Sequence, residues 1–168
     1  EETDNIFWIT DPSMFANSSK FNKTLELIDK ELKNSREDFI QHFREKYSNP
    51  YPPAWMLVEI LPLGVVTRIY DNLADNALRK KIAARFLLPV PVFSSWITIV
   101  TLTRNSCCHH SRVWNKENAI LPMLLRKHQR AWIGTGISSN RIFYNLCILK
   151  WFVDIISPEN DMKRHLKK

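Results

Sequence analysis

Between Arg104 and Asn115 the chain gathers two arginines, two histidines, two cysteines and two asparagines into twelve residues, directly after an apolar run. Histidine titrates near neutrality and is the usual side chain for taking and returning a proton. Arginine presents paired N–H donors that clamp the negative charge building on phosphoryl oxygens in a transition state. Together they suit a site that cleaves a phosphodiester by acid/base chemistry; the alternative reading is that His109 and His110 are polar residues satisfied at a helix end. Asn105 and His109 lie four apart on one helical ridge, where a carboxamide can orient an imidazole. Arg104 and His109 lie five apart and diverge by roughly 140° on a straight helix. They converge at a kink, or where two copies of the helix face each other. Arg104 also follows Val100 by four residues, in line with Phe93, Trp96 and Ile97, on the side expected to face the core. A guanidinium there needs a partner, a second subunit or a polar cleft.

The run Cys107-Cys108-His109-His110 invites a metal reading, but its spacing argues against one. Zinc ligands come in pairs separated by two or more residues, so that their side chains converge. Consecutive helical residues point roughly 100° apart and cannot close one tetrahedron. No metal and no other cofactor is expected. Cys107 and Cys108 read as small packing residues, and Cys147 as packing within a buried helix.

The elements that must carry this stretch read as helices. Asn17-Ser18-Ser19 supplies N-cap chemistry for a helix with Phe21, Leu25, Ile28 and Leu32 on one face. A second helix begins near Ser35 and carries Phe39, Phe43 and Tyr47. Pro50, Pro52 and Pro53 form a stiff connector. From Trp55 to Leu73 the chain is apolar on nearly every side, which marks a central helix, kinked or split by Pro62 and Gly64. Asp75 to Leu88 is amphipathic, with Leu78, Ile82 and Phe86 inward. A helix from Val92 to about Trp114 bears the motif. Residues 115–137 are irregular, and Ser138-Ser139-Asn140 caps a last long helix burying Ile142, Phe143, Leu146, Leu149, Phe152, Val153 and Ile156. The expected fold is all-α, a bundle of about five to seven helices with a kinked central helix, in one domain over residues 1–168.

Bulk properties agree. The 168 residues are 45% hydrophobic with six Trp and nine Phe, as suits a packed core, and three Gly are too few for a glycine-rich phosphate loop. The net charge of +7 favours an anionic partner such as nucleic acid. Three cysteines make no disulfide framework, and Pro62, Arg68 and Arg104 interrupt the longest apolar runs. A cytoplasmic chain with no membrane partner is expected.

The run from Arg104 to Asn115 closely resembles the signature of the Abi-like proteins, the AbiD/AbiF group of bacterial abortive-infection, phage-defence proteins. Their pattern runs Arg-Asn-x-Cys-Ala-His-His-x-Arg-Leu-Trp-Asn. Cys108 stands here where the family prefers Ala, and Val113 where it prefers Leu. Pro52-Pro53-Ala54-Trp55 through Glu59 resembles the family's Pro-Pro-x-Trp-x-x-x-Glu helix. Leu63-Gly64, Tyr70 with Leu73, Ser35 to Ile40 and Trp96 fit around it. Family members carry a further N-terminal region, so the chain reads as the C-terminal portion of a longer protein.

The family is similar in turn to the HEPN superfamily of α-helical bundles with a metal-independent RNase site, usually formed between the two subunits of a homodimer. That resemblance implies an RNA-cleaving effector in which Arg104 binds the scissile phosphate, Asn105 is the polar position and His109 or His110 is the acid/base. Arg112, Lys116, Arg126, Lys127 and Arg130 are expected RNA backbone contacts. RNA, a second copy of the chain and an antitoxin are the partners implied. The competing expectation is a non-catalytic RNA-binding or dimerisation module regulated by a partner.

Overall fold

A computed structural model describes residues 5–126 and 136–165. Among these the regular structure is entirely helical, and the chain divides into two compact units, one reaching Arg79 and the other starting at Lys80. The all-α expectation holds.

The first unit is organised by α1 (Ser18–Asn34). Asn17 caps it, its side chain accepting the Lys20 N–H at 2.8 Å. Phe21, Thr24, Ile28 and Leu32, spaced three or four apart, form its buried face against α3 (Ala54–Ile60) and α4 (Leu63–Asn72). In the chain α1 is followed by α2 (Asp38–Lys46), which buries Ile40 and Phe43. Phe39 and Tyr47, expected in the α2 core, are exposed, because the true stripe starts at Ile40.

The apolar stretch from Trp55 to Leu73 is two helices. Pro62 has no N–H to continue the ladder and forces Leu61 into an extended conformation, with ψ 135°. Nor is the stretch buried all round: Trp55, Val58 and Leu63 face solvent. Asn72, buried at the end of α4, fixes the segment before α1. Its carboxamide accepts from Asn17 N–H and donates to Asn17 C=O, both at 3.0 Å, while its own carbonyl accepts from Ala16 at 2.9 Å.

The helix α5 (Asn76–Arg85) leads from one unit into the other, opened by Asp75, whose carboxylate accepts from the backbone of Ala77 and Leu78. The second unit is then built on α6 (Val90–Cys108) and α7 (Ile142–Ile156), with a single-turn α8 (Met162–His165) near the end. Its core is aromatic. Trp96 is fully buried and meets Trp151 edge-on, with ring centroids 5.6 Å apart. Phe86, Phe93 and Phe152 pack on one another with ring centroids 5.2–5.9 Å apart, and Phe152 meets Trp96 at 6.4 Å. Both indoles find acceptors: Trp96 donates to Met123 C=O at 2.9 Å, and Trp151 to Phe86 C=O at 2.8 Å. The Trp96 bond and the Ser95 hydroxyl, which accepts from Met123 N–H at 2.8 Å, tie the irregular 119–126 segment to α6.

Both core helices differ from expectation in rotational phase. In α6 the buried residues are Val92, Phe93, Trp96, Ile99, Thr101 and Thr103, so Phe93 and Trp96 are buried as expected, whereas Ile97 and Val100 are half-buried and Arg104 is exposed. In α7 it is Tyr144, Asn145, Ile148, Trp151 and Phe152, whereas Phe143 and Ile156 are exposed. The α7 cap is Arg141, with no side-chain capping bond, in place of the Ser138-Ser139-Asn140 run.

Candidate functional site

The phase of α6 decides where the motif side chains sit. With Thr103 on the buried line, Arg104 turns outward and is exposed, not core-facing. Its guanidinium Nη1 donates to the Asn105 carboxamide oxygen at 3.2 Å. Asn105 is thus engaged with the arginine beside it. Beneath this pair, the Asn145 Nδ2 donates to the Thr103 hydroxyl at 3.0 Å, a buried bond from α7 to α6.

The helix ends at Cys108, about two turns before the expected end near Trp114. Its last carbonyls close in a Schellman arrangement: His110 N–H donates to Cys107 C=O at 3.1 Å, and Ser111 N–H to Ser106 C=O at 2.9 Å. His109 is the cap, its N–H donating to Asn105 C=O at 3.0 Å. His110 occupies the left-handed position with φ 51°, where glycine is favoured and histidine is among the tolerated exceptions. Both histidines are exposed. So are Cys107 and Cys108, contrary to their reading as packing residues. Cys147 is half-buried on α7, and burial pushes its thiol pKa up.

The strand of loop after the turn is held by a residue that sequence reasoning missed. Arg141 Nη1 donates to the backbone and side-chain oxygens of Asn115 at 3.2 and 3.3 Å, and its Nη2 meets Glu117 at 2.9 Å. Asn118 N–H donates to Asn140 C=O at 2.8 Å alongside. Asn115, the last motif residue, adopts φ 53°, a left-handed conformation that asparagine tolerates. The twenty-six residues separating Arg141 from Asn115 leave no spacing signal that could have revealed the pair.

Of the expected RNA contacts, Arg112 and Lys116 are exposed on this loop, with Arg112 Nε donating to Trp114 C=O at 3.2 Å. Arg126 belongs to a different recess, lined also by Leu87, Pro91 and Leu124. Lys127 and Arg130 lie outside the described residues. A cavity of about 230 Å³ opens behind the motif turn, lined by α6 residues including Thr103 and Ser106, by 116–120 and by Asn145. Trp114 is 78% exposed and Leu102 40%, leaving apolar surface beside the motif. No group of three or more His, Cys, Asp or Glu suited to a metal occurs among the described residues.

An all-helical fold with Arg and Asn in the final turns of a core helix and paired His at its cap defines the class: a helical bundle bearing an Arg-Asn…His-His motif. The sequence profile described as Abi-like protein matches residues 2–115, from the start of the first unit to the last motif residue, and the chain belongs to that family. Membership places it among proteins of abortive-infection phage defence. No curated protein and no solved structure matches the chain. Among the described residues no single helix is long and apolar enough to cross a membrane.

Proposed function

We propose that the chain is the effector of a phage-defence response and cleaves RNA as a HEPN-type endoribonuclease. The carrying observation is that Arg104, Asn105, His109 and His110 cluster at the C-terminal end of α6 and its cap, where Arg104 and both histidines are exposed. In this reading a ribose 2′-hydroxyl attacks the adjacent phosphorus while a motif histidine removes its proton. Arg104 stabilises the charge on the phosphoryl oxygens. The 5′-oxygen leaves and takes a proton, giving a 2′,3′-cyclic phosphate and a 5′-hydroxyl. The residues that act need no metal for these steps.

A homodimer completes the site. The outward turn of Arg104 removes the need to bury it within one copy and presents it to a partner, and the exposed Leu102 and Trp114 give that face apolar area to bury. Arg112 and Lys116 supply backbone contacts, so RNA affinity falls as salt rises. His110 is held at a position where a residue other than glycine costs about 1 kcal/mol, and strain kept at a motif residue supports a role for its imidazole. The competing reading, an RNA-binding or dimerisation module without catalysis and held by an antitoxin, is favoured by the same exposed apolar surface. Cleavage of RNA by purified protein in excess chelator, lost in the His109→Ala/His110→Ala variant, supports the nuclease. Salt-sensitive RNA binding without cleavage supports the module.

A further inference from the structure

The cavity behind the motif turn combines apolar walls with unpaired polar atoms. Its volume of about 230 Å³ falls just below the usual range for small-molecule sites, roughly 300–1,000 Å³, and suits a single heterocycle. Apolar walls come from Ile99, Leu102, Val113, Ile120 and Ile142. Two lining residues carry buried polar atoms with no hydrogen-bond partner: the donor Asn118 Nδ2 and the acceptor Asn145 Oδ1. Asn145 is only 4% exposed and is already anchored through its other amide atom to Thr103. Buried polar atoms are nearly always paired, and unpaired ones call for an explanation. One donor and one acceptor between apolar walls is the pattern by which proteins hold an unstacked base, reading its edge and covering its faces.

We propose that this cavity is a nucleobase pocket. Ser106, on its wall, lies one helical turn before His109, so a nucleotide with its base in the cavity has its sugar and phosphate beside the histidine turn. Lys116, also on the lining, supplies a cation for that phosphate, while the Glu117 carboxylate beside it is paired with Arg141. The inference deepens the ribonuclease reading and rests on it only for what happens to the phosphate. The base can come from an RNA strand or from a free nucleotide, and the two sources share the chemistry of the pocket.

The test is a side-chain amide NMR titration of the intact chain with the four ribonucleoside 5′-monophosphates, ribose 5-phosphate, and tetranucleotides 2′-O-methylated against cleavage. Saturable shifts of the Asn118 and Asn145 amides with at least one nucleotide, and not with ribose 5-phosphate, are expected. Asn118→Ala should weaken that binding about tenfold, the worth of one hydrogen bond. If that variant does not fold, Ile120→Ala, which thins a half-exposed wall, must weaken it instead. Tighter binding of a tetranucleotide than of any mononucleotide assigns the base to RNA, and the reverse order assigns a free nucleotide. Amides that stay still with every nucleotide, or that move equally with ribose 5-phosphate, overturn the pocket. Base binding by a chain that cleaves no RNA would leave the pocket standing and remove the nuclease. Cleavage without movement of these amides would do the opposite.

Discussion

The Asn145 carboxamide donates to the Thr103 hydroxyl at 3.0 Å, inside the packed face between α7 and α6. A hydrogen bond at that depth fixes rotation as well as distance, because only one phase of α6 brings Thr103 to Asn145. The residue after Thr103 is Arg104, and the same phase turns it to solvent. Thr103→Val keeps the shape and leaves the Asn145 amide without its partner, so it should cost about 1–3 kcal/mol in urea unfolding. Adding Asn145→Leu should recover part of that loss, since both polar groups are then gone. Strictly additive losses would show that the bond does not couple the two helices.

The motif turn makes a prediction of opposite sign. His110 adopts φ 51° at the helix end, where glycine carries no steric penalty. His110→Gly should therefore raise stability by about 1 kcal/mol, read as an upward shift of the denaturation midpoint. A lowered midpoint would mean that the imidazole contributes packing worth more than the backbone strain.

Arg141 ties the loop after the motif to the start of α7, but its pair with Glu117 is well exposed, at 40% and 65% for the two side chains. Exposed pairs contribute little, so Arg141→Met should lower global stability by less than about 1 kcal/mol. Its effect should be local: the Asn118 amide, bonded to Asn140 C=O, should lose protection in hydrogen exchange. Unchanged protection at Asn118 would show that the loop holds its place without the arginine.

In the first unit, Tyr51 donates to the Asp29 carboxylate at 2.8 Å. Burial first, then that bond and the carboxylate charge, push the Tyr51 phenol from 10.0 up to about 12. A pKa raised by folding gives stability that is complete below pH 10 and fades as pH climbs through about 12. Stability of Tyr51→Phe should decline less steeply than that of the parent chain across that window. Parallel declines would show that the phenol titrates alike in folded and unfolded chains.

The sequence displayed its helices more clearly than their orientation. Asn17, Asp75 and Pro62 announced helix starts and a break through local chemistry that tertiary packing did not override. Phase was harder to read in α6, because apolar residues lie on both sides of it. Phe93 and Trp96 are buried as their types suggest, but beyond them Ile99, Thr101 and Thr103 take the buried positions in place of Ile97, Val100 and Arg104. The identity of the motif was legible because Arg104 to Asn115 is contiguous. Arg141, Asn145 and Asn118 were not, since their roles depend on contacts across 22 to 42 residues of chain. The early end of α6 was hidden because histidine, not glycine, takes the left-handed position.

In the proposed function the Arg104-to-His110 segment cleaves RNA. The most direct measurement is cleavage of a labelled RNA by the purified protein in excess chelator, with the product ends identified. The parent chain should yield 2′,3′-cyclic phosphate and 5′-hydroxyl ends, while Arg104→Ala and His109→Ala/His110→Ala should lose activity and keep the parent's helical content. Undiminished cleavage by the folded double-histidine variant would contradict the account.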